Sequence, residues 1–416
     1  MMSSRDGLIR RLDSLLDSDS AAIQDFLVQM LRIKSVNPRM GGPGEAERAR
    51  FLEGFLRNEG FEVKRVDVDD VEMGKARPNL SVKLEGKEHR NLWFVSHIDT
   101  VPEGNRELWN SDPFEPVVRD GKIFARGAED NGQSLVSSLY ALVELKRLGV
   151  ALPFSVGLWL VADEEFGSDY GIKYLLTHGH FRKDDLVVVP DSGTPKGEDI
   201  EIAEKGLLWF KVTTVGKQVH ASVPSRGTNA HRIGMKLATD LDDALHRKYA
   251  EEDPLFDERR STFEPTMIES NVANVNTIPG VDTFYFDCRV LPRYTLEEVL
   301  SDIEERIRVY EKVNGVGIRL DIVQKDSAGP ATSAGSEVSL LLARAVQRAT
   351  KKRPRFVGTG GLTVGNLFRK EGISTAVWST IDEVPHEPNE YCRIKNLVGD
   401  AKVFAALPLL AQPETE

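Results

Sequence analysis

Residues 154–165 read FSVGLWLVADEE. The first eight positions are apolar or small and show no polar alternation, and then three carboxylates arrive together at Asp163, Glu164 and Glu165. Such a run predicts a strand covered on both faces, as in a parallel sheet flanked by helices. Two similar runs stand on either side of it, NLWFVSHIDTV over 91–101 and DLVVVPDSG over 185–193. Around them, AERARFLEGFLRNEGFEVKRVDV (46–68) reads as helix, glycine stop and strand, and GQSLVSSLYALVELKRLGV (132–150) as a helix ended by Gly149. The alternation predicts an α/β domain, with chemistry at the carboxyl ends of its strands.

Three adjacent acids repel one another. A fold that holds them at one strand end must neutralise them with cations or hydrogen-bond donors, or leave them in water. Other polar residues fall at the same kind of position. His97 ends one apolar run, and Asp99 stands two residues on, where it can hold the second ring nitrogen of an imidazole ligand. Asp130, in IFARGAEDNGQS (123–134), lies near a helix N-terminus that favours a carboxylate. Asp191 sits at a strand exit and His386 in VPHEPNEY (384–391). Capping and solvation account for each of these alone but not for their coincidence. Two imidazoles with three or four carboxylates and no thiolate suit a dinuclear zinc or cobalt site in which one carboxylate bridges. One glutamate of the 164–165 pair can then ligate while its neighbour serves as general base.

The 416 residues suffice for two or three domains, and 40% hydrophobic with 29% charged residues is a globular composition. A formal net charge of -11 argues against nucleic acid or an anionic membrane as partner. Two cysteines, Cys288 and Cys392, are too few for a disulfide framework and fit a reducing cytoplasm. The N-terminus lacks the apolar core of a secretory signal and reads instead as two amphipathic helices, with Leu8, Ile9, Leu12, Leu15 and Leu16 on the first and Ile23, Phe26, Leu27, Met30 and Leu31 on the second.

From 206 to 324 the rhythm changes. LLWFKVTTVG (207–216), a helix over 229–250, TMIESNVANVN (266–276), VDTFYFDCRVL (281–291), a helix over 295–313 and GIRLDIVQ (317–324) give the β-α-β-β-α-β order of a ferredoxin-like domain. Runs over 335–350, 373–380 and 396–411 then resume α/β character. The expectation is an outer domain of 1–205 and 325–416 with 206–324 inserted into it, and hinges near 204–207 and 324–330.

SHIDTVP, ARGAEDNGQ, ADEEFGS, PDSG, GKQVHAS, NVNTIPG, FDCRVLP and HEPNEY, spanning 96–391 in this order, resemble the successive motifs of a dinuclear zinc hydrolase family. That family contains acetylornithine deacetylase, succinyl-diaminopimelate desuccinylase, aminoacylase and the glutamate-releasing carboxypeptidases. The resemblance implies His97 and Asp191 on one metal, Glu165 and His386 on the other, Asp130 bridging through a residue followed by a cis peptide, Asp99 behind His97, and Glu164 as general base. It implies that His220 stabilises an oxyanion, often in the other subunit of a homodimer formed through 206–324. It further implies that Asn276, Arg289, Gly360 and Gly361 hold the substrate. The substrate class that the resemblance implies is a small N-acyl amino acid, such as N-succinyl-diaminopimelate or N-acetylornithine, or a dipeptide or peptide C-terminus.

This chain departs from the pattern in three places. The loop GTGGLTVGN (358–366) lacks the acid that often follows the glycines, Asp191 stands where amidohydrolase members tend to have glutamate, and Gln133 replaces a frequent lysine. Arg289 can alternatively pair with Asp287 on its own strand. His178 and His180 read as a helix end and His246 as a residue of a helix's last turn. Two other classes compete with this reading. A catalytically silent metal-binding dimeric module of the same fold would be expected to lack a ligand or the base. A serine hydrolase built on Ser96 or Ser192 has no Gly-x-Ser-x-Gly elbow to support it.

Overall fold

The computed structural model describes residues 5–411 and divides into two compact units. The first takes the chain up to Ile202, then Thr332–Phe356, and again from Thr363 onward. The second takes Ala203–Ala331 and Val357–Leu362.

Unit one is built on a sheet whose strands lie in the order Lys64–Asp70, Lys75–Leu84, Phe154–Val161, Glu88–His97, Leu186–Gly193, Ser374–Ser379, Asp199–Glu204 and Arg355–Thr359. The four from Phe154–Val161 to Ser374–Ser379 run parallel. Antiparallel neighbours follow on both sides of them. Every side chain of Phe154–Val161 is buried, as expected of a strand covered on both faces. Its one glycine has a packing cause: a Cβ on Gly157 would stand 2.1 Å from Cζ3 of Trp93, so the gap in the apolar run is the space the indole fills. Trp93, Trp159, Val187, Val189, Phe368 and Val377 share that core. The helix Ser134–Leu148 packs on the central strands and against Ile394–Leu410. The expected amphipathic pair is Arg5–Ser18 and Ser20–Leu31, which bury Ile9, Leu12 and Leu16, then Ile23, Phe26, Leu27, Met30 and Leu31.

Unit two holds a four-stranded antiparallel sheet in the order Thr262–Ile268, Val281–Val290, Gly206–Val215 and Gly317–Asp326. The helices Ala230–Lys248 and Leu296–Asn314 complete the β-α-β-β-α-β sequence, and Phe210, Leu237, Leu241, Phe263, Phe286 and Ile303 lie in its core. The strand expected over 266–276 ends at Ile268. Its partner strand starts only at Val281, and the asparagines between them make local bonds in place of a ladder: Asn271 Nδ2 donates to Asp282 Oδ1 at 2.8 Å, and Thr277 Oγ1 donates to Asn274 Oδ1 at 2.6 Å. Among the described residues, no helix is long and apolar enough to cross a membrane.

Candidate metal centre

His97 is the last residue of its strand and is buried. Its Nε2 lies 2.8 Å from Asp130 Oδ1 and 3.4 Å from Asp191 Oδ1. His386, in a loop at a left-handed φ of 62°, places Nε2 3.0 Å from Asp130 Oδ2 and 3.2 Å from Glu165 Oε2. His97, Asp130 and Asp191 thus form one group able to hold a cation, and Asp130, Glu165 and His386 a second. Asp130 belongs to both, with one oxygen turned to each histidine, and the Asp130–Asn131 peptide is cis.

The three acids at the strand exit point in three directions. Asp163, at a φ of 66°, turns back into the protein, where its Oδ1 accepts from Asn37 Nδ2 at 3.1 Å and lies 3.3 Å from Arg77 Nη2. Glu165 faces His386, and its other oxygen, Oε1, is buried without a hydrogen-bond partner. Glu164 faces the cluster: burial first, then the nearby Asp191 carboxylate, hold its carboxyl well above the usual glutamate range. Repulsion among the three is thereby divided among separate partners.

Asp99 holds the second ring nitrogen of His97 through its main chain. The Nδ1 of His97 meets its main-chain oxygen at 3.0 Å, closer than its carboxylate at 3.5 Å. The carboxylate instead accepts from the main-chain N–H groups of Glu164 (3.1 Å) and Glu165 (3.2 Å), and from Asn37 Nδ2 at 2.9 Å. Behind Asn37 lies Arg77, fully buried and paired with Glu45, Asp70 and Asp163. Replacing Arg77 by methionine strands the buried Glu45 and Asp163 carboxylates without their cation, while Asp70 keeps Arg39 at 3.6 Å, and costs about 3–5 kcal/mol. Chemical denaturation of the metal-free protein should show that loss.

Sequence reasoning missed the residues that join the Asp130 and His386 segments. Glu390, fully buried, accepts from the main-chain N–H groups of Gly127 (2.9 Å), Glu129 (2.9 Å) and Asp130 (3.1 Å), and from Arg126 Nη1 at 2.6 Å. Arg126 also donates to the main-chain oxygen of His386 at 3.2 Å. Gln133, in place of the frequent lysine, is a neutral buried tether that donates to the Thr380 oxygen at 2.8 Å and to Asp400 Oδ2 at 3.1 Å. Ser96 is buried and its hydroxyl has no hydrogen-bond partner, so no Ser–His pair forms there.

The sequence profile of peptidase family M20/M25/M40 matches residues 93–409. The chain belongs to this family. An uncharacterized metallohydrolase of Methanocaldococcus jannaschii is 39% identical over 393 residues, covering 90% of this chain and 96% of the relative. A succinyl-diaminopimelate desuccinylase of Rickettsia felis is 28% identical over 380 residues, covering 90% and 95%. The di-peptidase Dug1p of Saccharomyces cerevisiae shares the fold, with a TM-score of 0.74 at 16% identity, covering 97% and 98% of the two chains.

As an M20-family hydrolase, the chain has a donor set that fits divalent metal. It offers two imidazoles and three carboxylates without a thiolate, a carboxylate shared by both groups, and an unpartnered buried oxygen on Glu165. The electrostatics agree. Hydrogen bonds to Asp130 and then Glu165 push His386 up to about 10, and burial and the Asp130 charge push Glu165 up to about 7. Burial opposes a charge on His97, but Asp191 and Asp130 hold it well above the histidine range all the same. Without metal, then, both rings are protonated at neutral pH, and a ligating ring must be neutral. Binding of two divalent ions near pH 7 is expected to release about two protons from the rings and a further fraction from Glu165, so affinity falls as pH drops. Calorimetry in buffers of different ionisation enthalpy checks this.

The remaining candidates lie in unit two. His220 is exposed, with Nδ1 2.8 Å from Ser222 Oγ. The pairing of Val219–His220 with Thr277–Ile278 brings it beside Asn276, whose oxygen accepts from Ala221 N at 2.8 Å. Arg289 makes two bonds to Asp287, at 2.7 and 3.0 Å, and donates from Nη1 to the Gly360 oxygen at 2.9 Å. Gly360 and Gly361 are exposed. His178 follows the helix Ile172–Thr177, and His246 is in the last turn of Ala230–Lys248.

Proposed function

We propose that this M20-family hydrolase cleaves an amide bond in a small substrate bearing a free carboxylate, with Glu164 as general base. The shared Asp130 is the observation that carries this reading, because it joins the His97–Asp191 and Glu165–His386 groups at one carboxylate. Two divalent cations, zinc or cobalt, would polarise the scissile carbonyl there and make an attacking water more acidic.

Glu164 would take the proton from that water on a carboxylate oxygen and return it to the nitrogen of the leaving amine. Its raised proton affinity supports both halves of the transfer. Asp163 is committed to Arg77 and Asn37, and Glu165 to His386, so neither competes for the role. Asp99 fixes where Glu164 stands by holding the amides of the turn. His220 and Asn276 would donate to the developing oxyanion, and Arg289 with the Gly360–Gly361 backbone would meet the substrate carboxylate.

The relative named as a succinyl-diaminopimelate desuccinylase supports an N-acyl amino acid, and the fold neighbour named as a di-peptidase supports a dipeptide. Assay of zinc- and cobalt-loaded protein against N-succinyl-diaminopimelate, N-acetylornithine and a dipeptide panel separates the two. Turnover of one class, abolished by a chelator, is expected; full metal occupancy with no turnover of any amide would overturn the proposal. Residues 206–324 would serve as lid and as the homodimer contact, supported by the exposed Met267 and Ile268 on an edge strand of that sheet. A monomer in sedimentation at micromolar concentration would remove the dimer. Two buried free cysteines are in keeping with a cytoplasmic location.

A further inference from the structure

His386 has the least support from its own segment of all the candidate ligands. It lies outside any helix or strand, at a left-handed φ, with its side chain 53% exposed. Core packing therefore does little to fix the ring, and something else must place the loop that carries it. Arg126 holds the main-chain oxygen of His386 itself, and the residue beside Asp130 holds the loop before it. Glu129 is buried at 4% exposure, and its two carboxylate oxygens accept separately from the loop before His386: Oε1 from the N–H of Asp382 at 2.6 Å and Oε2 from the N–H of Val384 at 2.7 Å. Glu390 answers from the other segment by binding the amides of Gly127, Glu129 and Asp130. The two carboxylates thus form a reciprocal clasp, each gripping the main chain of the segment that carries the other.

We infer that Glu129 is a positioning residue for His386, setting the distance between that ring and the shared Asp130 through two hydrogen bonds to the amides of Asp382 and Val384. The inference rests on the metal-site reading above. A carboxylate is required because both of its oxygens accept. Glutamine, of nearly the same shape, would turn an NH2 group toward one of the two N–H donors and lose that bond.

The test measures zinc bound per chain, under chelator competition, for full-length wild type, Glu129→Gln, His386→Ala and the double variant. The first variant should retain one zinc at wild-type affinity and bind the second about 10–100-fold more weakly, the usual cost of losing a group that orients a ligand. In the double variant the effects should not add, because Glu129 acts through His386. Thr332→Val serves as a control for general destabilisation, since this buried hydroxyl bonds the Thr375 oxygen at 2.7 Å and touches neither segment. Both zinc ions at wild-type affinity in Glu129→Gln would overturn the inference. So would additive effects, or equal weakening of both ions to the extent seen in Thr332→Val. Failure of the wild type to take up zinc would overturn the metal-site reading itself, which the wild-type arm reports separately.

Discussion

Replacing Glu164 by glutamine is expected to lower kcat by about two to four orders of magnitude while the protein keeps both metal equivalents. The factor is what a positioned general base contributes. The substitution is nearly isosteric and removes only the ability to accept and return a proton. It leaves untouched the two groups of His97, Asp130, Asp191, Glu165 and His386. It also leaves the local turn in place, because Asp99 holds that turn through the amides of residues 164 and 165 and not through their side chains. KM should change little, since the lost interaction belongs to the transition state. The acid limb of the pH–rate profile, set by a base that must be unprotonated, should disappear with it. The measurement pairs steady-state kinetics with metal content. A variant that keeps more than about a tenth of the wild-type kcat would move the base elsewhere, and one that loses metal would make Glu164 a ligand.

The candidate ligand side chains were legible for a physical reason. A parallel sheet needs strands buried on both faces, so a histidine or aspartate that ends such a run, as His97 and Asp191 do, stands out against an apolar background and falls where such sheets do their chemistry. The order of strands and helices in unit two was legible from alternation and helical spacing. Its second strand was placed too late because an Asn-rich hairpin loop contains valines that imitate a strand. The supporting shell was not legible. Arg77, Arg126, Glu129 and Glu390 are charged residues whose type is mostly exposed, and nothing local marks them as buried. Their partners lie far off in sequence, as with Arg126 and Glu390, 264 positions apart. Only the closed fold shows the partners that meet these groups inside it. Gln133 belongs with them, since its role depends on Thr380 and Asp400, which no spacing rule connects to it.

Asp130 is the residue whose loss should cost most. In Asp130→Ala, both metal equivalents are expected to weaken together, and hydrolysis to fall by at least about a thousandfold, the effect of losing several kcal/mol of electrophilic stabilisation. The reason is topological. Asp191 can be lost with Glu165 and His386 still paired, and His386 can be lost with His97 and Asp191 still adjacent, but Asp130 is a member of both groups. Its carboxyl illustrates the demand. Burial alone would raise its pKa, yet hydrogen bonds from His386 and His97 hold it well below the usual aspartate range. Removing it also leaves two imidazoles without the acceptor they share, and both should titrate nearer to ordinary histidine values. Proton release on adding zinc should then shrink along with zinc affinity, and NMR titration of the ring protons in the metal-free variant would show the fall directly. If Asp130→Ala lost only one metal, Asp130 would be a terminal ligand and the two groups independent sites. Asp191→Ala and His386→Ala, each expected to spare one metal, provide the comparison that separates these outcomes.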